Sequence, residues 1–584
     1  MNYLNPIFTE KRECQDCYKC VRNCPVKAIK VEGGYASVVP ELCIVCGHCV
    51  EVCPNGAKKV RDDLASARQL LTRKKPVLVS LAPSYVTEFP GLSAARLVGA
   101  LKKLGFAGVS ETALGAQQVS AQAAALLRKN PGRVLASSAC PTVVAFLQKH
   151  RAQGAELLTG LLSPLLTHCQ MLRRELGADI GIVFIGPCIA KKLEAAQHPE
   201  LLDVVLTFED LRRWLEQEKI APEDLPEAPE NHFIPERSAE GAWYPVDGGM
   251  IAGMKSACAV NDCSLMSFSG IGAIKKALDG IEELKPDQGL FLELLACEGG
   301  CVNGPKVRRR DATVMKRRLV LRSATAAGVA LPRSPTIETP TQFAVAPLTV
   351  ARHPDSQIRE ALRNVGKFSP EDELNCGGCG YDSCRDFGIA LLGQKAERAM
   401  CVTYMRQLAF KKANALIQKM PSAVVIVNEA LRVIEFNAAF VKLFAPPKTA
   451  GGTAAAMEGI ALAEVLPFAS LFHNVLKTGE DMLDRDLRFQ SLILHAAIFS
   501  IEKHCLVGGI IQDITKPAVR KEQVIRKARE VIQKQLATTQ QIASLLGENA
   551  ADAEITLNSI IDSFSPPKPD EPKENNDWRK LYRR

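Results

Sequence analysis

The sequence predicts a multidomain α/β protein that carries several sets of metal-ligating cysteines. Its 584 residues exceed the length of one ordinary domain, and 47% hydrophobic with 23% charged residues is a globular composition. Between residues 75 and 325, short apolar strands alternate with helical segments, as in an α/β fold. Most of the twenty cysteines stand in short repeated spacings, which are typical of metal ligands and not of a small secreted disulfide framework.

Charge and hydropathy narrow the classes of function. The formal net charge of +9 is modest for this length and does not indicate nucleic-acid binding. No apolar run reaches the roughly 18 residues that a membrane span requires. The first residues lack the apolar core of a signal peptide. We therefore expect a protein of a reducing, anoxic cytoplasm that binds neither nucleic acid nor membrane.

The spacing CxxCxxCxxxCP occurs twice in residues 1–62, first at Cys14, Cys17, Cys20 and Cys24, then at Cys43, Cys46, Cys49 and Cys53. This is the run of bacterial two-cluster ferredoxins, in which the fourth cysteine of each run ligates the other [4Fe–4S] cluster. The crossed ligand sets are therefore Cys14, Cys17, Cys20 and Cys53, and Cys43, Cys46, Cys49 and Cys24. Zinc is the alternative, but its usual cysteine pairs lack the triple run and the trailing proline. Two such clusters would let electrons hop between the surface and the interior.

Residues 75–325 predict the α/β domain. The stretch PVLVSLAPS is a short apolar strand that runs into a loop, and Ser93–Leu104 has the period of a helix. Further strands are predicted at Arg133–Ala136, Ile180–Ile185 and Val204–Thr207. Loops at strand ends are where open α/β sheets place ligands, and the loops after two of these strands hold Cys140 and Cys188.

Three stretches of this domain bring four cysteines into short loops of small residues. They read LASSACPTVV, IGPCIAKKLE and LELLACEGGCVNGPK, and their cysteines are Cys140, Cys188, Cys297 and Cys301. Four thiolates are the complement of a [4Fe–4S] cubane. Gly299 and Gly300 remove side-chain bulk beside the last two cysteines.

In order and in detail, these stretches resemble the three H-cluster motifs of [FeFe]-hydrogenases. The resemblance implies that Cys140, Cys188, Cys297 and Cys301 hold the cubane and that Cys301 bridges to a two-iron subsite with CO, cyanide and an azadithiolate bridge. It also implies that Lys191 donates a hydrogen bond to one cyanide and Ser84 to the second. The implied reaction is the reversible heterolysis of H2, with H2 and protons as substrates and a redox partner such as ferredoxin.

One residue of the family's proton relay is missing. Catalytic members carry a second cysteine before the first cubane ligand, and this chain has Ala139 there. The segments that resemble the family's acidic relay, Gly115–Ala124 and Gly248–Met254, contain no carboxylate. A general acid or base contributes on the order of 10²–10⁴-fold to a rate, so we expect slow turnover.

Two further parts follow the α/β domain. Residues 326–364 are rich in Thr, Pro and Ala and predict a linker or extended surface strap. Residues 365–405 hold the spacing C-x2-C-x4-C and a later cysteine, which resembles a small Fe–S domain with a fourth cubane. Its ligands would be Cys376, Cys379, Cys384 and Cys401. Zinc is a stronger alternative here, because a single four-cysteine set is less diagnostic.

The sequence of residues 412–584 indicates a regulatory role for the last parts of the chain. Residues 412–515 resemble a PAS domain, with Asn437 opening a helix after two strands and last strands at Ser491–Ile501 and His504–Asp513. Residues 518–564 predict a helical signalling or dimerisation segment, and the Pro- and charge-rich residues 565–584 predict a disordered tail. The alternative for 412–515 is an α+β dimerisation module.

A slow hydrogenase joined to a PAS-like domain resembles the sensory class of [FeFe]-hydrogenases. The sequence thus predicts an H2 or redox sensor, forming a homodimer through its PAS-like and helical parts and signalling to a kinase or phosphatase on another chain. Two alternatives remain open: a metabolic hydrogenase with a rerouted proton path, and an Fe–S electron-transfer or scaffold protein without the two-iron subsite. Cys258 and Cys263 are expected to pack in the core, with a substitute relay or redox pair as the alternative.

Overall fold

The computed structural model divides the chain into two units, Met1–Met405 and Arg406–Arg584. The residues it describes are 5–73, 75–257, 263–284, 289–308, 311–325, 334–348, 351–444, 457–516, 521 and 524–534. None of the described helices combines the length and hydrophobicity that crossing a bilayer requires. Within the first unit, a ferredoxin-like domain, an α/β domain and a small Fe–S segment follow one another.

The ferredoxin-like domain is built from short elements around its cysteine loops. Its elements are β1 (Ile7–Thr9), α1 (Lys19–Arg22), β2 (Ile29–Glu32), β3 (Tyr35–Val38), α2 (His48–Glu51) and β4 (Lys58–Val60). β1 pairs antiparallel with β4, so that the two ends of the domain meet, and β2 forms a hairpin with β3. Cys20 and Cys49 lie in the one-turn helices and are buried. Each cysteine run therefore contains a one-turn helix that buries its third cysteine.

The α/β domain contains two parallel sheets. Its elements are α3 (Leu64–Leu71), β5 (Val77–Leu81), α4 (Tyr85–Glu88), α5 (Ala94–Lys103), β6 (Gly108–Glu111), α6 (Ala113–Lys129), β7 (Val134–Ala136), α7 (Pro141–His150), α8 (Pro164–Leu176), β8 (Gly181–Gly186), α9 (Ala190–Gln197), β9 (Val204–Thr207), α10 (Phe208–Gln217), α11 (Gly249–Ala257), β10 (Cys263–Ser269), α12 (Ile271–Ala277), β11 (Gly289–Leu295) and α13 (Thr313–Thr325). The strand orders are β6-β5-β8-β9 and β10-β11-β7.

These sheets place the site. Every residue of β5, β8 and β11 is buried, as expected for parallel strands covered on both faces. Ser84 and Cys188 follow β5 and β8 of one sheet, whereas Cys140 and Cys297 follow β7 and β11 of the other. Because parallel strands end at a common edge, the carboxyl edges of both sheets supply the candidate site residues.

A buried polar chain lies inside the first of these sheets. Thr112 Oγ1 lies 2.7 Å from Ser80 Oγ, which lies 2.8 Å from His168 Nδ1. The other ring nitrogen of His168, Nε2, lies 2.8 Å from Ser110 Oγ. Ser80, Ser110 and His168 are fully buried. A neutral imidazole satisfies both hydroxyls, because one ring nitrogen donates and the other accepts.

Because His168 is buried, we expect the stability of the fold to depend on pH. Burial lowers the pKa of His168 to about 3, whereas in the unfolded chain it titrates at about 6.5. Below about pH 6.5 His168 binds a proton in the unfolded state but not in the folded state. The free energy of unfolding therefore decreases as the pH falls. From pH 7 to pH 5 the advantage of the wild type over His168→Gln should shrink by about 2 kcal/mol. Urea unfolding followed by tryptophan fluorescence measures it; an unchanged difference would contradict the prediction. His232→Gln is the control, because His232 is exposed.

The prediction for residues 326–364 is wrong for their last part. Residues 334–348 do run along the α/β domain, with Thr341 N donating to Gly160 O at 2.8 Å. Asp355–Arg363, however, form a helix, α14. Its buried residues Ile358, Ala361 and Leu362 pack on Phe387 of the next helix, α15 (Cys384–Leu392). The helical spacing of Ile358, Ala361 and Leu362 was missed because the residues before them are rich in Thr and Pro.

A long helix, α16 (Val402–Lys419), follows the small Fe–S segment. The second unit continues with β12 (Ala423–Val427), β13 (Val433–Phe436), α17 (Ala438–Phe444), α18 (Leu462–Val465), α19 (Ala469–Thr478), β14 (Met482–Phe489), β15 (Leu492–Glu502) and β16 (Leu506–Asp513). The five strands form one antiparallel sheet of order β13-β12-β16-β15-β14. Its core includes the fully buried Phe440 and Phe472.

Asn437 ties these elements together. Its Nδ2 donates to Ile417 O in the last turns of α16, at 3.0 Å, and to Ser422 O at 2.8 Å. Its Oδ1 accepts from Val424 N at 3.0 Å and Phe440 N at 2.9 Å. This buried amide thus joins the end of α16 to the start of β12 and to α17. Of the predicted helical segment 518–564, residues 524–534 are helical, and most of the remainder, the tail 565–584 and Cys258 lie outside the described residues.

Candidate functional site

A small cavity lies where the carboxyl edges of the two sheets meet. Its volume is about 100 Å³. Most of its wall is apolar, formed by prolines, alanines, Leu165, Phe184 and Leu295. The side chains in the wall that carry a polar atom or a thiol are Ser84, Thr112, Cys140, Cys188, Lys191, Tyr244 and Cys301. The cavity therefore offers a few fixed polar groups in a water-poor surrounding.

Four thiols gather beside this cavity, and we name Cys140, Cys188, Cys297 and Cys301 the Cys140 group. Burial raises the pKa of Cys188 to about 11, and the charge of Cys140 adds to the increase. Burial and then the charges of the other three members raise the pKa of Cys297. Burial and the charges of Cys140 and Cys188 raise the pKa of Cys301, and the charge of Lys191 opposes the increase. Four thiolates at such a place repel one another, and a bound metal cluster is the partner that offsets their charge.

Two glycines let this loop form. Gly299 and Gly300 have φ angles of 75° and 101°, which favour glycine. A Cβ at Gly300 would lie 2.4 Å from Pro245 O, so the loop of Cys297 and Cys301 touches the backbone beside Tyr244. Val302 N donates to the same carbonyl at 3.1 Å. The contact holds Tyr244 and Cys301 in one wall of the cavity.

Ser84 places a buried hydroxyl at the cavity. The residue is 1% exposed and lines the cavity, and within the described residues its Oγ has no hydrogen-bond partner. Leaving a buried polar group unpaired costs about 1–3 kcal/mol. A ligand in the cavity that accepts a hydrogen bond would remove this cost.

Lys191 also lines the cavity and is nearly buried. Its Nζ donates to Glu194 Oε2 at 2.6 Å and to Ser163 Oγ at 2.9 Å. An ammonium group has three donors, so these two bonds orient the amine and leave one donor for a ligand. Sequence reasoning missed Glu194 and Ser163 as the groups that hold the lysine, although Glu194 belongs to the PCIAKKLE motif.

Ala139, the position at which the sequence motif predicts a cysteine, is in the cavity wall. Its N donates to Ser137 Oγ at 3.3 Å. Ser137 Oγ and Tyr244 OH both donate to Met250 Sδ at 3.3 Å. Burial and the charges of nearby Glu293, Cys301 and Cys140 raise the pKa of Tyr244. Tyr244 comes from a loop with no recognised motif, so the sequence offered no signal for it.

No carboxylate lines the cavity among the described residues, but two lie behind its wall. Gln117 Nε2 donates to the buried Glu240 Oε2 at 3.1 Å, so a distant segment supplies an acid beside Gly115–Ala124. Burial raises the pKa of Glu293 to about 7, and Ile251 N donates to Glu293 Oε2 at 3.0 Å. Both acids were missed because neither lies in the segments that carry the family's acidic relay.

The ferredoxin-like thiols form two neighbourhoods. We name Cys14, Cys17, Cys20 and Cys53 the Cys14 group, and Cys24, Cys43, Cys46 and Cys49 the Cys24 group. Burial raises the pKa of Cys20, with contributions from the other members of the Cys14 group. Burial also raises the pKa of Cys49, with contributions from the other members of the Cys24 group. The buried Lys58 opposes both increases, so one cation lies near both sets of thiols.

The small Fe–S segment holds a fourth set, Cys376, Cys379, Cys384 and Cys401, which we name the Cys376 group. Burial raises the pKa of Cys379, and the charges of Cys401 and Cys384 add to it. Cys384 N donates to Asn375 Oδ1 at 2.7 Å, which fixes the start of α15. Within the described part of the chain, no three Cys, His, Asp or Glu side chains approach as closely as ligands of a single ion do. Sulfur ligands at the corners of a cubane stand farther apart than that.

Comparisons with known proteins agree with this division. Residues 75–305 match the family "Iron only hydrogenase large subunit, C-terminal domain". Residues 6–54 match a "4Fe-4S dicluster domain", and residues 372–403 match an Fe–S cluster family. The first unit therefore defines a multidomain iron–sulfur protein with a ferredoxin-like, a hydrogenase-type and a small Fe–S part. The chain is an iron-only hydrogenase-like Fe–S protein.

Individual relatives are distant. "Iron hydrogenase 1" of Clostridium pasteurianum is 24% identical over 296 residues, which cover 41% of this chain and 51% of that protein. The chain thus spans about half the length of this curated relative. An apo [FeFe]-hydrogenase from Chlamydomonas reinhardtii is similar at 18% identity, with a TM-score of 0.36, covering 49% of this chain and all of that one. A PAS domain from a sensor histidine kinase is similar at 14% identity, with a TM-score of 0.15, covering 18% of this chain and 98% of that one.

Proposed function

We propose that the chain senses H2 or redox state through an H-cluster and reacts with H2 slowly. In this proposal the Cys140 group holds a [4Fe–4S] cubane, and the adjoining cavity takes a two-iron subsite with CO, cyanide and azadithiolate ligands. The two-iron subsite, when bound, supplies the chemistry of the reversible heterolysis of H2. The two ferredoxin-like clusters and the cluster of the Cys376 group complete the proposed cofactors.

The residues of the cavity fit such a group. Among the residues that the structure describes, Ser84 Oγ is a buried donor without a partner, and Lys191 has one donor left after its bonds to Glu194 and Ser163. These are the two groups proposed to bind cyanide. The apolar wall excludes water, which strengthens both hydrogen bonds. Cys301 lines the cavity but Cys297 does not, which suits Cys301 as the thiol shared between the cubane and the subsite.

The single observation that carries the sensor proposal is the methyl group of Ala139 in the cavity wall. A methyl group neither donates nor accepts a proton, and no carboxylate lines the described cavity to replace it. Turnover without a positioned acid or base is slower by about 10²–10⁴-fold. A slow centre registers H2 without consuming much of it. The antiparallel sheet of the second unit is the proposed PAS-like domain, and it would pass the signal to a kinase or phosphatase.

A second candidate is a metabolic hydrogenase with a rerouted proton path. The observation that favours it is the hydroxyl pair of Ser137 and Tyr244 beside Ala139, both bonded to Met250 Sδ. Ser137 Oγ accepts from Ala139 N, and Tyr244 lines the same cavity as Ala139, so these hydroxyls are the candidates for a different proton path. Under this alternative turnover would be fast, so the rate itself separates the two candidates.

Infrared spectroscopy of the maturated full chain tests the proposal. We expect CO and cyanide bands that shift reversibly between N2 and H2, with weak H2 evolution in a parallel assay. Ser84→Ala should shift one cyanide band, whereas Ser93→Ala should not, because Ser93 caps α5 away from the cavity. If the CO and cyanide bands are absent, the chain is an Fe–S scaffold without the two-iron subsite. If H2 evolution is fast, the metabolic hydrogenase is the better candidate.

A further inference from the structure

Lys58 is a buried cation in the ferredoxin-like domain. It is the first residue of β4 and is 3% exposed. Its Nζ donates to Thr9 Oγ1 in β1 at 2.7 Å and to the backbone oxygen of Ala36 in β3. The ammonium group therefore joins three strands that surround the cysteine loops.

Within the described part of the chain, no carboxylate pairs with Lys58, whose partners are one hydroxyl and one carbonyl. Two other buried lysines of the first unit do have such a partner. Lys191 Nζ lies 2.6 Å from Glu194 Oε2, and Lys192 Nζ lies 2.9 Å from Asp63 Oδ2. Because a buried charge without a counter-ion is costly, an anion of another kind is expected to offset the charge of Lys58.

Ala36 connects this cation with a thiol of the Cys14 group. Its N donates to Cys14 Sγ at 3.5 Å, while its O accepts from Lys58 Nζ. A single residue thus separates the ammonium group from the sulfur atom. The cluster proposed for the Cys14 group carries four thiolates, so it is the anion that can offset the buried charge.

The Cys24 group has a comparable backbone bond, but that bond leads to a neutral group. Ala28 N donates to Cys24 Sγ at 3.2 Å, and Ala28 O accepts from the backbone N of Val39 at 2.9 Å. The position that the ammonium group of Lys58 takes beside Ala36 is thus taken here by an amide. These hydrogen bonds connect Lys58 with the Cys14 group and not with the Cys24 group.

The Cys14 group is also the more exposed of the two ferredoxin-like groups. Cys17 is exposed, and Cys14 and Cys53 are partly exposed, whereas three of the four thiols of the Cys24 group are buried. A cluster in the Cys14 group would therefore lie nearer to an external redox partner. Its reduction potential decides whether an electron from the interior stays there or returns.

We propose that Lys58 raises the reduction potential of the cluster in the Cys14 group. Reduction adds one electron from a neighbouring cluster or an external reductant, so that donor is oxidised and the Cys14 cluster becomes more negative. A fixed cation in a buried place stabilises the more negative state. Lys58 acts on the cluster without ligating it. This inference rests on the proposed cluster of the Cys14 group and not on the reaction with H2.

A dithionite redox titration of the full chain, followed by electron paramagnetic resonance, tests the role of Lys58. The signal that changes in Cys17→Ala belongs to the Cys14 group, and the signal that changes in Cys46→Ala belongs to the Cys24 group. Lys58→Met replaces the ammonium group with an apolar side chain. We expect the equilibrium constant for reducing the Cys14 cluster to fall about tenfold, a potential lower by about 59 mV. The shift at the Cys24 group should be smaller.

Lys59→Met is the matched control. Lys59 is the next residue of β4, lies 2.7 Å from Glu13 Oε2 and has a side chain that is 43% exposed. Solvent screens its charge, so we expect no shift in potential. Thr9→Val removes one hydrogen bond of Lys58 but keeps the charge, so the potential should also stay. Lys58→Arg keeps the charge as well and should retain most of the potential.

An unchanged potential in Lys58→Met overturns the proposal. So does an equal shift in Lys59→Met or Thr9→Val, or a larger shift at the Cys24 group. Iron analysis verifies that each variant holds the same clusters, and Lys58→Gln replaces Lys58→Met if the latter does not. If no signal changes in Cys17→Ala, the proposed cluster itself fails. A cluster that is present but ignores Lys58→Met refutes only the role of the lysine.

Discussion

The Cys301→Ala chain is expected to show no CO or cyanide infrared bands after maturation, a complete loss of the two-iron subsite. Cys301 lines the cavity together with Cys140 and Cys188, and it is the one of these three that follows Gly300 in the loop. Bridging to the subsite needs a thiolate at this point, and an alanine methyl cannot ligate iron. The resonance signals of the Cys14 and Cys24 groups should persist, because their loops belong to the ferredoxin-like domain.

Cys169→Ala is the matched control. Cys169 is also a buried thiol of the α/β domain, but it packs in the core of the first sheet and not at the cavity. The infrared bands of this variant should match the wild type. Bands that survive in Cys301→Ala, or that vanish equally in Cys169→Ala, would show that the thiol at 301 has no special role.

Local sequence signals were strong enough to predict most of the first unit. Cysteine runs and strand patterns anticipated the ferredoxin-like and hydrogenase-type parts, which the family comparisons confirm. The strands at 133–136, 180–185 and 204–207 correspond to β7, β8 and β9. Such features depend on neighbours in the chain, because ligand spacing and hydrophobic period are local properties.

What escaped prediction depends on partners far apart in sequence. Glu240 accepts a hydrogen bond from the side-chain amide of Gln117, 123 residues away in the sequence. No spacing rule connects the two residues. Tyr381 and Cys24 belong to one buried cluster only because two separate parts of the chain pack together. Asn437 was expected to open a helix, but its bonds to the end of α16 were not. The PAS-like and sensory assignments remain predictions, since they rest on loose signatures.

Ala139→Cys is expected to raise H2 turnover, toward the ~10²–10⁴-fold that a positioned acid or base supplies. The new thiol would belong to the cavity wall that Cys140 and Tyr244 also line, next to the Ser137 hydroxyl that accepts from the backbone N of residue 139. It restores one relay group but not the acidic segment, so the gain should fall short of the upper limit. Ala116→Cys is the control, because Ala116 lines the same cavity at another point.

Two outcomes decide between slow sensing and a rerouted path. If the absent thiol limits the rate, H2 evolution rises in Ala139→Cys and not in Ala116→Cys, while Tyr244→Phe changes little in the wild type. If the hydroxyls already carry protons, Ala139→Cys is neutral and Tyr244→Phe lowers turnover by about 10²-fold or more. The second result would mean that this chain is a catalyst whose proton path runs through Tyr244, a residue outside the sequence motifs.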